Sequence, residues 1–500
     1  MGRTDDGTIT IDTDAPRRAW ARVTFRLING WLLFCVLIVA IKLLLLWLDP
    51  TPKLYMGDSG SYIRTALIGS IPRDRSYFYG YLVRVFAVWP HGFVPLLVAQ
   101  ALASGATAIV FGLICSRFFR MSNRLSFFFG LICALDPCQL VWERYVMTET
   151  FSLLVYVVVL YWSLAYLRDR RLCQLVIVQI LSVVLIGFRM SFLAVVQACT
   201  ILLPLIAFAR SASRVLRQRS SARVPGGGDL RTGLTHVMAS IAMMFVMHGA
   251  YKYANGWLSH REPAYLYTTG EHLAAVWSPA LEPSDATDSR FRDLIANGRE
   301  FKIDDLTLRN AQHFGEGLLI DRWREIEKDR RKRDRIARAT AMNALRRRPL
   351  QIAGLTLKTY LGYRGVASIQ SYGREELGGG ELTDEQVKML AEKFRFTTVK
   401  LLSAEPFSLL QRYFLVGWPY YFIVVISPLT CALATWLSRP RAFVFLLFVH
   451  ASILMVVITA LSPQASVRYL QPISMLTLFS IAICGDWLSR IASPRPQSAS

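Results

Sequence analysis

The chain has 500 residues, of which 53% are hydrophobic and only 18% are charged, and its formal net charge is +22. This is more apolar surface than a water-soluble protein usually buries, so the composition excludes an ordinary soluble enzyme and indicates a polytopic membrane protein. The positive charge is then assigned to an acidic membrane surface and to loop topology, and a nucleic-acid partner is not expected.

Ten apolar stretches are long enough to be predicted as transmembrane helices, because a helix satisfies its own backbone hydrogen bonds in lipid. The first is too long for the core of a signal peptide and lacks a small-residue cleavage site, so we expect it to be retained as a span. The fold class is therefore all-α. The ten spans are predicted at about 30–48, 93–115, 124–141, 148–167, 172–188, 190–209, 234–254, 412–437, 442–461 and 467–488.

Basic residues in the short loops predict the orientation, since loops rich in Lys and Arg resist translocation. With ten spans, every strongly basic short segment falls on one side, which is predicted to be the cytoplasm and to hold both termini. These segments are the arginines before the first span, the 117–124 loop, the 168–171 turn, the 210–231 loop and the 439–441 turn.

The spans and loops divide the chain into five parts. A cytoplasmic tail (1–27) precedes a transmembrane module (28–254), whose first extracytoplasmic loop covers 49–92; an extracytoplasmic domain (255–411), spans eight to ten (412–490) and a second cytoplasmic tail (491–500) follow. Residues 1–16 and those beyond Pro494 are predicted to be disordered, and 211–233 to be a flexible linker.

The extracytoplasmic domain is predicted to be mostly helical. Charged and apolar residues alternate at helical spacing in 288–298, 321–345 and 383–394, whereas 349–363 is predicted to be an interfacial helix because it is apolar but too short to span. Its arginine runs at 330–335 and 346–348 are consistent either with a solvated helix face or with contact to an anionic partner.

Cysteine and histidine spacing predicts neither a disulfide framework nor a metal site. All eight cysteines lie in or beside predicted spans, and the seven histidines lack the spacing of zinc hydrolases.

Three places carry ionisable residues at span ends on the extracytoplasmic side, where such residues are functional candidates because charge is costly at membrane depth. The first is the loop after span one, which contains Asp58 and Tyr62. Asp58 could project into a cleft at the membrane surface, or it could cap the helix predicted at 59–67.

The second place lies between spans three and four and contains Glu143, Arg144 and Glu149. Six residues at about 100° each put the two glutamates on different faces of a continuous helix, so we expect only one of them to face a shared cavity. The alternative is a Glu143–Arg144 surface pair and a Glu149 that complements the helix dipole.

The third place is the start of the last span, with Arg468 and Tyr469. A guanidinium can donate two hydrogen bonds to a phosphate, although an arginine and a tyrosine at this depth could also merely anchor the span. Arg189, at the turn between spans five and six, lies on the same side and could assist, or it could be an ordinary boundary arginine.

These three motifs together resemble the GT-C superfamily of polytopic glycosyltransferases, in the branch of protein O-mannosyltransferases and lipid A aminoarabinose transferases. The similarity covers roughly 30–250 and 412–490 and depends on three patterns in the same order: Asp58-Ser59-x-x-Tyr62, Glu143-Arg144 with Met147-Thr148-Glu149, and Arg468-Tyr469-x-x-Pro472.

The resemblance implies inverting transfer of a sugar from a polyprenyl-phosphate donor to a cell-envelope glycan, glycolipid or protein, at the outer face of a bacterial inner (plasma) membrane. It implies that Asp58 is the general base and that Arg468, with Tyr469 and Arg189, binds the donor phosphate. It further implies that Glu143, Arg144, Glu149 and Tyr62 line the cleft for the acceptor.

One departure from the family pattern bears on cofactors. Many members carry two adjacent acids in the first loop, whereas Ser59 follows Asp58 here, so a divalent cation such as Mg²⁺ or Mn²⁺ is not indicated.

Two other functions remain open on the sequence. A lipid-linked glycan flippase would be expected to carry charges through the bilayer interior, and the ionisable residues here gather at one surface instead. A scaffold would use the acids only as helix caps.

Overall fold

The computed structural model describes residues 14–55, 58–88, 92–217, 227–377, 384–396, 407–438, 441–462 and 464–492. Over these residues the regular structure is helical, with one isolated β-bridge between Lys53 and Tyr145. The predictions for residues 1–13, for 218–226 within the predicted linker and for the residues after 492 lie outside the described ranges. Residues 14–16 belong to the first helix, and 211–217 and 227–233 belong to the helices Leu193–Arg217 and Gly227–Ser259, so the predicted disorder and the predicted flexible linker are wrong at these positions. The helices are α1 (Asp14–Leu48), α2 (Asp58–Ile68), α3 (Phe78–Ala87), α4 (Val94–Arg117), α5 (Asn123–Ala134), α6 (Pro137–Trp142), α7 (Glu149–Asp169), α8 (Leu172–Phe188), α9 (Leu193–Arg217), α10 (Gly227–Ser259), α11 (Thr269–Val276), α12 (Ser289–Asn297), α13 (Leu306–Phe314), α14 (Leu319–Ile326), α15 (Arg330–Arg347), α16 (Pro349–Gly362), α17 (Val366–Leu377), α18 (Asp384–Phe394), α19 (Leu409–Val416), α20 (Trp418–Val425), α21 (Ser427–Leu437), α22 (Arg441–Ala460) and α23 (Gln471–Ala492).

Seven helical segments in the described ranges are long and apolar enough to cross a membrane, and an eighth is added if the bent pair α20–α21 counts as one span. The chain is therefore a multi-pass, all-helical membrane protein. The seven segments are Gly30–Leu48, Val94–Arg117, Glu149–Asp169, Met190–Ala209, Arg231–Ser259, Arg441–Ala460 and Val467–Ala492.

Three of the ten predicted spans have a different form. The stretch 124–141 divides into α5 and α6 at Asp136-Pro137, because Asp136 caps α6 by accepting a bond from the Cys138 N–H at 2.8 Å and proline has no N–H to continue a helix. The stretch 172–188 is an apolar helix of 17 residues, and 412–437 comprises α19, α20 and α21, with a bend of 63° between the last two.

Burial shows which spans are central. In the segment that contains α23, 83% of the most apolar window is buried inside the protein, against 22% in α1. Large apolar side chains of α1, such as Leu33 and Trp47, are exposed, as expected for a helix that faces lipid. The segment that begins at Val467 is thus enclosed by the other spans.

The region after α10 has a hydrophobic cluster of its own, built from α11, α12, α14, α15 and α16 and the turns between them, around buried Phe291 and Trp323. The helices predicted in 288–298, 321–345 and 383–394 are confirmed as α12, α14 with α15, and α18. The predicted helix at 349–363 is also confirmed, as α16, and its Leu350 is 86% exposed.

Candidate active site

Residues from five separate parts of the chain meet beside the first loop. Asp58 begins α2, Arg75 lies in the loop before α3, and Glu149 begins α7. Arg189 directly follows α8, and Arg468 lies in a 3₁₀ turn, Val467–Leu470, that leads into α23. Each side chain therefore stands at an element end rather than in the middle of a span.

Asp58 is held between two guanidiniums. One of its carboxylate oxygens pairs with Arg75, and the other lies 2.6 Å from Nη2 of Arg468. The Asp58 and Arg75 side chains are each 19% exposed, so the pair is partly open to solvent.

Arg468 joins Asp58 to Glu149. Its Nε donates to Oε1 of Glu149 while its Nη2 contacts Asp58, so one guanidinium bridges two carboxylates. Glu149 is fully buried and Arg468 is 8% exposed. Because both acids accept from the same cation, they are held close together despite their like charge.

Arg189 approaches the same cluster from the other side of Glu149. Its Nη1 lies 3.8 Å from Oε1 of Glu149, too far for a hydrogen bond, and this buried nitrogen has no hydrogen-bond partner among the described residues. A buried donor that lacks a partner is costly, so Arg189 has capacity to bind an anion here.

Aromatic rings enclose the guanidiniums. Arg468 lies 4.8 Å from the ring centroid of Tyr55 and 5.8 Å from that of Tyr469, and Arg189 lies 5.6 Å from the same Tyr469 ring. Tyr62 is buried behind Asp58. The rings keep water from the cations and so strengthen their electrostatic effect.

The charges set the ionisation of Asp58. Burial acts to raise its pKa, but the positive charges of Arg468 and Arg75 outweigh burial and hold the pKa below the ordinary carboxyl value. Burial, reinforced by the negative charges of Asp58 and Glu149, raises the pKa of Tyr62, which therefore stays a neutral phenol.

The cluster retains capacity for an added anion. The guanidiniums of Arg75, Arg189 and Arg468 contact the carboxylates of Asp58 and Glu149, and Arg75 also pairs with Asp74. The buried Nη1 of Arg189 is the donor without a hydrogen-bond partner among the described residues. Each carboxylate is already paired with arginine, so these residues do not fit a divalent cation. No group of three or more His, Cys, Asp or Glu within the described part of the chain is arranged to hold a metal.

Glu143 and Arg144 lie in a second, separate cluster. Glu143 is 2.5 Å from Nζ of Lys42 and 3.5 Å from Nη1 of Arg144, and all three side chains are fully buried. The alternative of a surface pair is therefore wrong. Of the two glutamates, Glu149 is the one that lies with Asp58.

This second cluster fastens the first loop to the segment before α7. Arg144 donates to the carbonyl of Asp49 at 2.7 Å, and the isolated bridge pairs Lys53 N–H with the carbonyl of Arg144 and Val146 N–H with the carbonyl of Lys53. Ser59 continues the attachment, since its hydroxyl donates to the Val146 carbonyl at 2.9 Å. The loop that carries Asp58 is thus fixed on both sides.

The structure brings together six of the eight residues singled out in the sequence and adds Arg75 to them, while Lys42 belongs to the second cluster. Asp58, Tyr62, Glu149, Arg189, Arg468 and Tyr469 are neighbours, whereas Glu143 and Arg144 are not among them. Sequence reasoning missed Arg75 and Lys42. Lys42 could have been found as a lysine inside the first predicted span, but Arg75 carries no such signal.

Comparison with known proteins leaves the family unassigned: no protein-family model and no curated protein matches this chain.

Proposed function

We propose that the protein is an inverting glycosyltransferase of the GT-C type, which transfers a sugar from a polyprenyl-phosphate donor to a cell-envelope glycan, glycolipid or protein. The observation that carries the proposal is the contact between Asp58 and Arg468. This contact supports the proposal because a carboxylate suited to accept a proton and a guanidinium suited to bind a phosphate belong to the same site.

The proposal includes ten spans in a bacterial inner membrane, with both termini in the cytoplasm and the site on the outer face. The short apolar helices α5 and α8 and the bent pair α20–α21 would supply the three spans beyond the seven long ones. The basic short loops support this orientation.

The reaction is a single displacement at the anomeric carbon. The acceptor hydroxyl oxygen attacks that carbon from the side of Asp58, and its proton passes to the Asp58 carboxylate. The bond between the anomeric carbon and the phosphate oxygen breaks, and its electron pair leaves with the polyprenyl phosphate, whose growing charge Arg468 and Arg189 stabilise.

Binding of the donor would also activate the base. Arg468 neutralises Asp58 and Glu149 before a donor is present. A donor phosphate that takes one or both Nη hydrogen bonds of Arg468 would withdraw it from Asp58, and the pKa of Asp58 would then rise toward the ordinary value. Asp58 thereby becomes a stronger base when a donor is in place.

The test is release of free polyprenyl phosphate from a panel of polyprenyl-phosphate sugars by purified protein in detergent, with an envelope extract as acceptor. We expect turnover by the wild type and a loss of at least about 100-fold in Asp58→Asn, which keeps the shape of the side chain but removes the base. Arg468→Lys should raise the KM for the donor, because an ammonium cannot donate bidentately.

Asp74→Asn is the matched control, because Asp74 lies in the same loop and pairs with Arg75 at 2.5 Å without being one of the carboxylates that Arg468 bridges. It should keep most of the activity. No turnover by folded wild type with any donor, or equal losses in Asp58→Asn and Asp74→Asn, would contradict the proposal and favour a flippase or a scaffold.

A further inference from the structure

Three arginines without carboxylate partners gather beside the candidate active site, each from a different segment. Arg73 lies in the loop between α2 and α3, Arg261 follows α10, and Arg330 is the first residue of α15. They are defined here as the arginine patch. Arg73 and Arg261 are far apart in the sequence, so a local run of basic residues does not explain the patch.

Backbone contacts hold the three segments together. The N–H of Tyr267 donates to the carbonyl of Arg73 at 2.7 Å, and the Arg261 guanidinium lies 4.8 Å from the ring centroid of the same Tyr267. The N–H of Gly270, in the first turn of α11, donates to Oδ1 of Asp334 at 2.6 Å, which fastens the segment that follows Tyr267 to α15. Gly270 has no room for a side chain, since an added Cβ would lie 2.0 Å from the Asp334 carbonyl oxygen.

The patch is not neutralised within the described ranges. Neighbouring arginines are paired: Arg333 with Glu271 at 2.5 Å, and Arg331 with Glu262 at 3.5 Å. By contrast, no ion pair involves Arg73, Arg261 or Arg330 among the described residues, and Nη1 of Arg261 is buried without a hydrogen-bond partner.

The guanidiniums are close enough to repel one another. Burial, and then the positive charges of Arg261, Arg330 and Arg333, lower the pKa of Arg73, while Glu271 opposes them only in part. Arg330 and the three basic residues after it also occupy the positive end of the α15 dipole, where cations are unfavourable. This charge arrangement costs stability unless an anion offsets it.

The patch continues into the candidate site. Arg73 is two residues before Arg75, which pairs with Asp58, and the only acid between them, Asp74, is paired with Arg75. A ligand held by the patch would therefore lie next to the proposed base.

We infer that the arginine patch binds a phosphate group of the acceptor, so that the enzyme glycosylates an anionic, phosphate-bearing envelope molecule. This inference rests on the proposed function. Guanidiniums in convergent positions suit a phosphate because each fork can donate two hydrogen bonds to it. The phosphate would orient the acceptor so that a hydroxyl points at Asp58.

The first experiment uses the transfer assay with the envelope extract separated by anion exchange. The molecules that serve as acceptor should elute in the retained, anionic fraction. Phosphatase treatment of that fraction should abolish its acceptor activity. A triple variant, Arg73→Gln/Arg261→Gln/Arg330→Gln, should raise the KM for this fraction by about 10-fold or more, with the KM for the donor unchanged, since each partly exposed contact contributes about 1 kcal/mol or less.

Arg346→Gln is the matched control, because Arg346 is an exposed arginine in the last turn of the same helix, α15. It should leave the KM for the acceptor unchanged. Acceptor activity in the unretained fraction, or an equal effect of the triple variant and the control, would overturn the inference.

A second experiment separates the acceptor from membrane lipid as the source of the phosphate and does not depend on transfer. The Tm of wild type and triple variant is measured with inorganic pyrophosphate, and in nanodiscs of phosphatidylcholine with or without phosphatidylglycerol. Stabilisation by pyrophosphate that only the wild type shows would support the inference even if no donor is turned over. Stabilisation that requires phosphatidylglycerol and is absent with pyrophosphate would assign the patch to the membrane and overturn it.

Discussion

Asp58 sits between Arg75 and Arg468, and this position determines the pH range over which it can accept a proton. Because the two guanidiniums hold its pKa below the ordinary carboxyl value, Asp58 stays ionised as the medium becomes mildly acidic. The same pairing stabilises the fold above the pKa of the unfolded chain, and that contribution is lost as pH falls through the lowered folded pKa.

The pH dependence of transfer should therefore show the effect of the Arg75 charge on the pKa of Asp58. In Arg75→Gln one of the two positive charges is lost and the pKa of Asp58 rises. The acid limb of the kcat profile should then move up by about one pH unit relative to wild type. An acid limb at the same pH in both proteins would show that a group other than Asp58 controls it.

The buried pair of Lys42 and Glu143 is expected to contribute to the stability of the fold. Lys42→Met leaves Glu143 buried with only the more distant Arg144 for compensation, and should lower the free energy of unfolding by about 3 kcal/mol. The double variant Lys42→Met/Glu143→Gln should recover much of this loss, because it removes both charges. Thermal unfolding in detergent measures both, and a double variant less stable than the single one would contradict a paired role.

The site residues could be predicted from sequence only where their chemistry is unusual for their position. Asp58, Glu149 and Arg468 are ionisable groups near span ends. Because burying a charge there is costly, their position alone identifies them as functional candidates. The sequence could not distinguish Glu149 from Glu143, because the chain between them is not one helix: α6 ends at Trp142 and α7 begins at Glu149. Helical periodicity therefore did not apply.

At the scale of elements, the close packing of α2 on α3 positions Asp58. A Cβ added at Gly80 of α3 would lie 2.5 Å from Cβ of Thr65 in α2, an atom fixed to the backbone that cannot move aside. Tyr62 and Tyr79 pack edge to face across the same interface, with ring centroids 5.1 Å apart. The distance between these two short helices thus depends on a glycine.

Gly80→Ala should accordingly separate α2 from α3, destabilise the protein by about 1–3 kcal/mol and reduce transfer by displacing Asp58. Gly60→Ala in α2 is the control, because a Cβ there meets nothing within 4 Å, and it should be neutral or stabilising by about 0.5–1 kcal/mol. Thermal unfolding and transfer rates report both effects. Equal behaviour of the two variants would show that the helix spacing is not critical.

Element boundaries were predictable where apolar length alone decides, as for the seven long spans, and failed where local chemistry interrupts an apolar stretch. Asp136-Pro137 ends one predicted span early. In another predicted span, Pro419 lies in the first turn of α20 and Pro428 in the first turn of α21, and Pro428 stands at the 63° bend between these two helices. The sequence shows these breaks as prolines. A search for apolar stretches does not detect them, because it measures only hydrophobicity and length.

At the scale of the whole molecule, the multi-pass helical architecture follows from composition, whereas the arrangement of spans around α23 depends on contacts between distant segments. The proposed orientation has a direct test, because Cys173 is exposed near the basic 168–171 turn and Thr307 is exposed in α13. The two positions are proposed to lie on opposite sides of the membrane.

A membrane-impermeant maleimide applied to intact spheroplasts should label a variant whose only cysteine is Thr307→Cys. It should label a variant that keeps only Cys173 after the membrane is made permeable, and not before. Reversed labelling would invert the orientation, and labelling of both in intact cells would contradict an odd number of crossings between them.

The enclosure of α23 has a consequence for engineering. Arg468 leads into the most enclosed span, so substitutions there disturb many neighbours at once, whereas Asp58 and Arg75 lie on a short helix and a loop outside the long spans. If the proposed transfer holds, libraries intended to change the preferred sugar should randomise α2 and the loop before α3 at positions other than Asp58 and Arg75, and keep the 467–492 segment constant. Substitutions in the randomised segments would then change which sugar fits the site, while the constant segment with Arg468 would keep the proposed position of the polyprenyl phosphate.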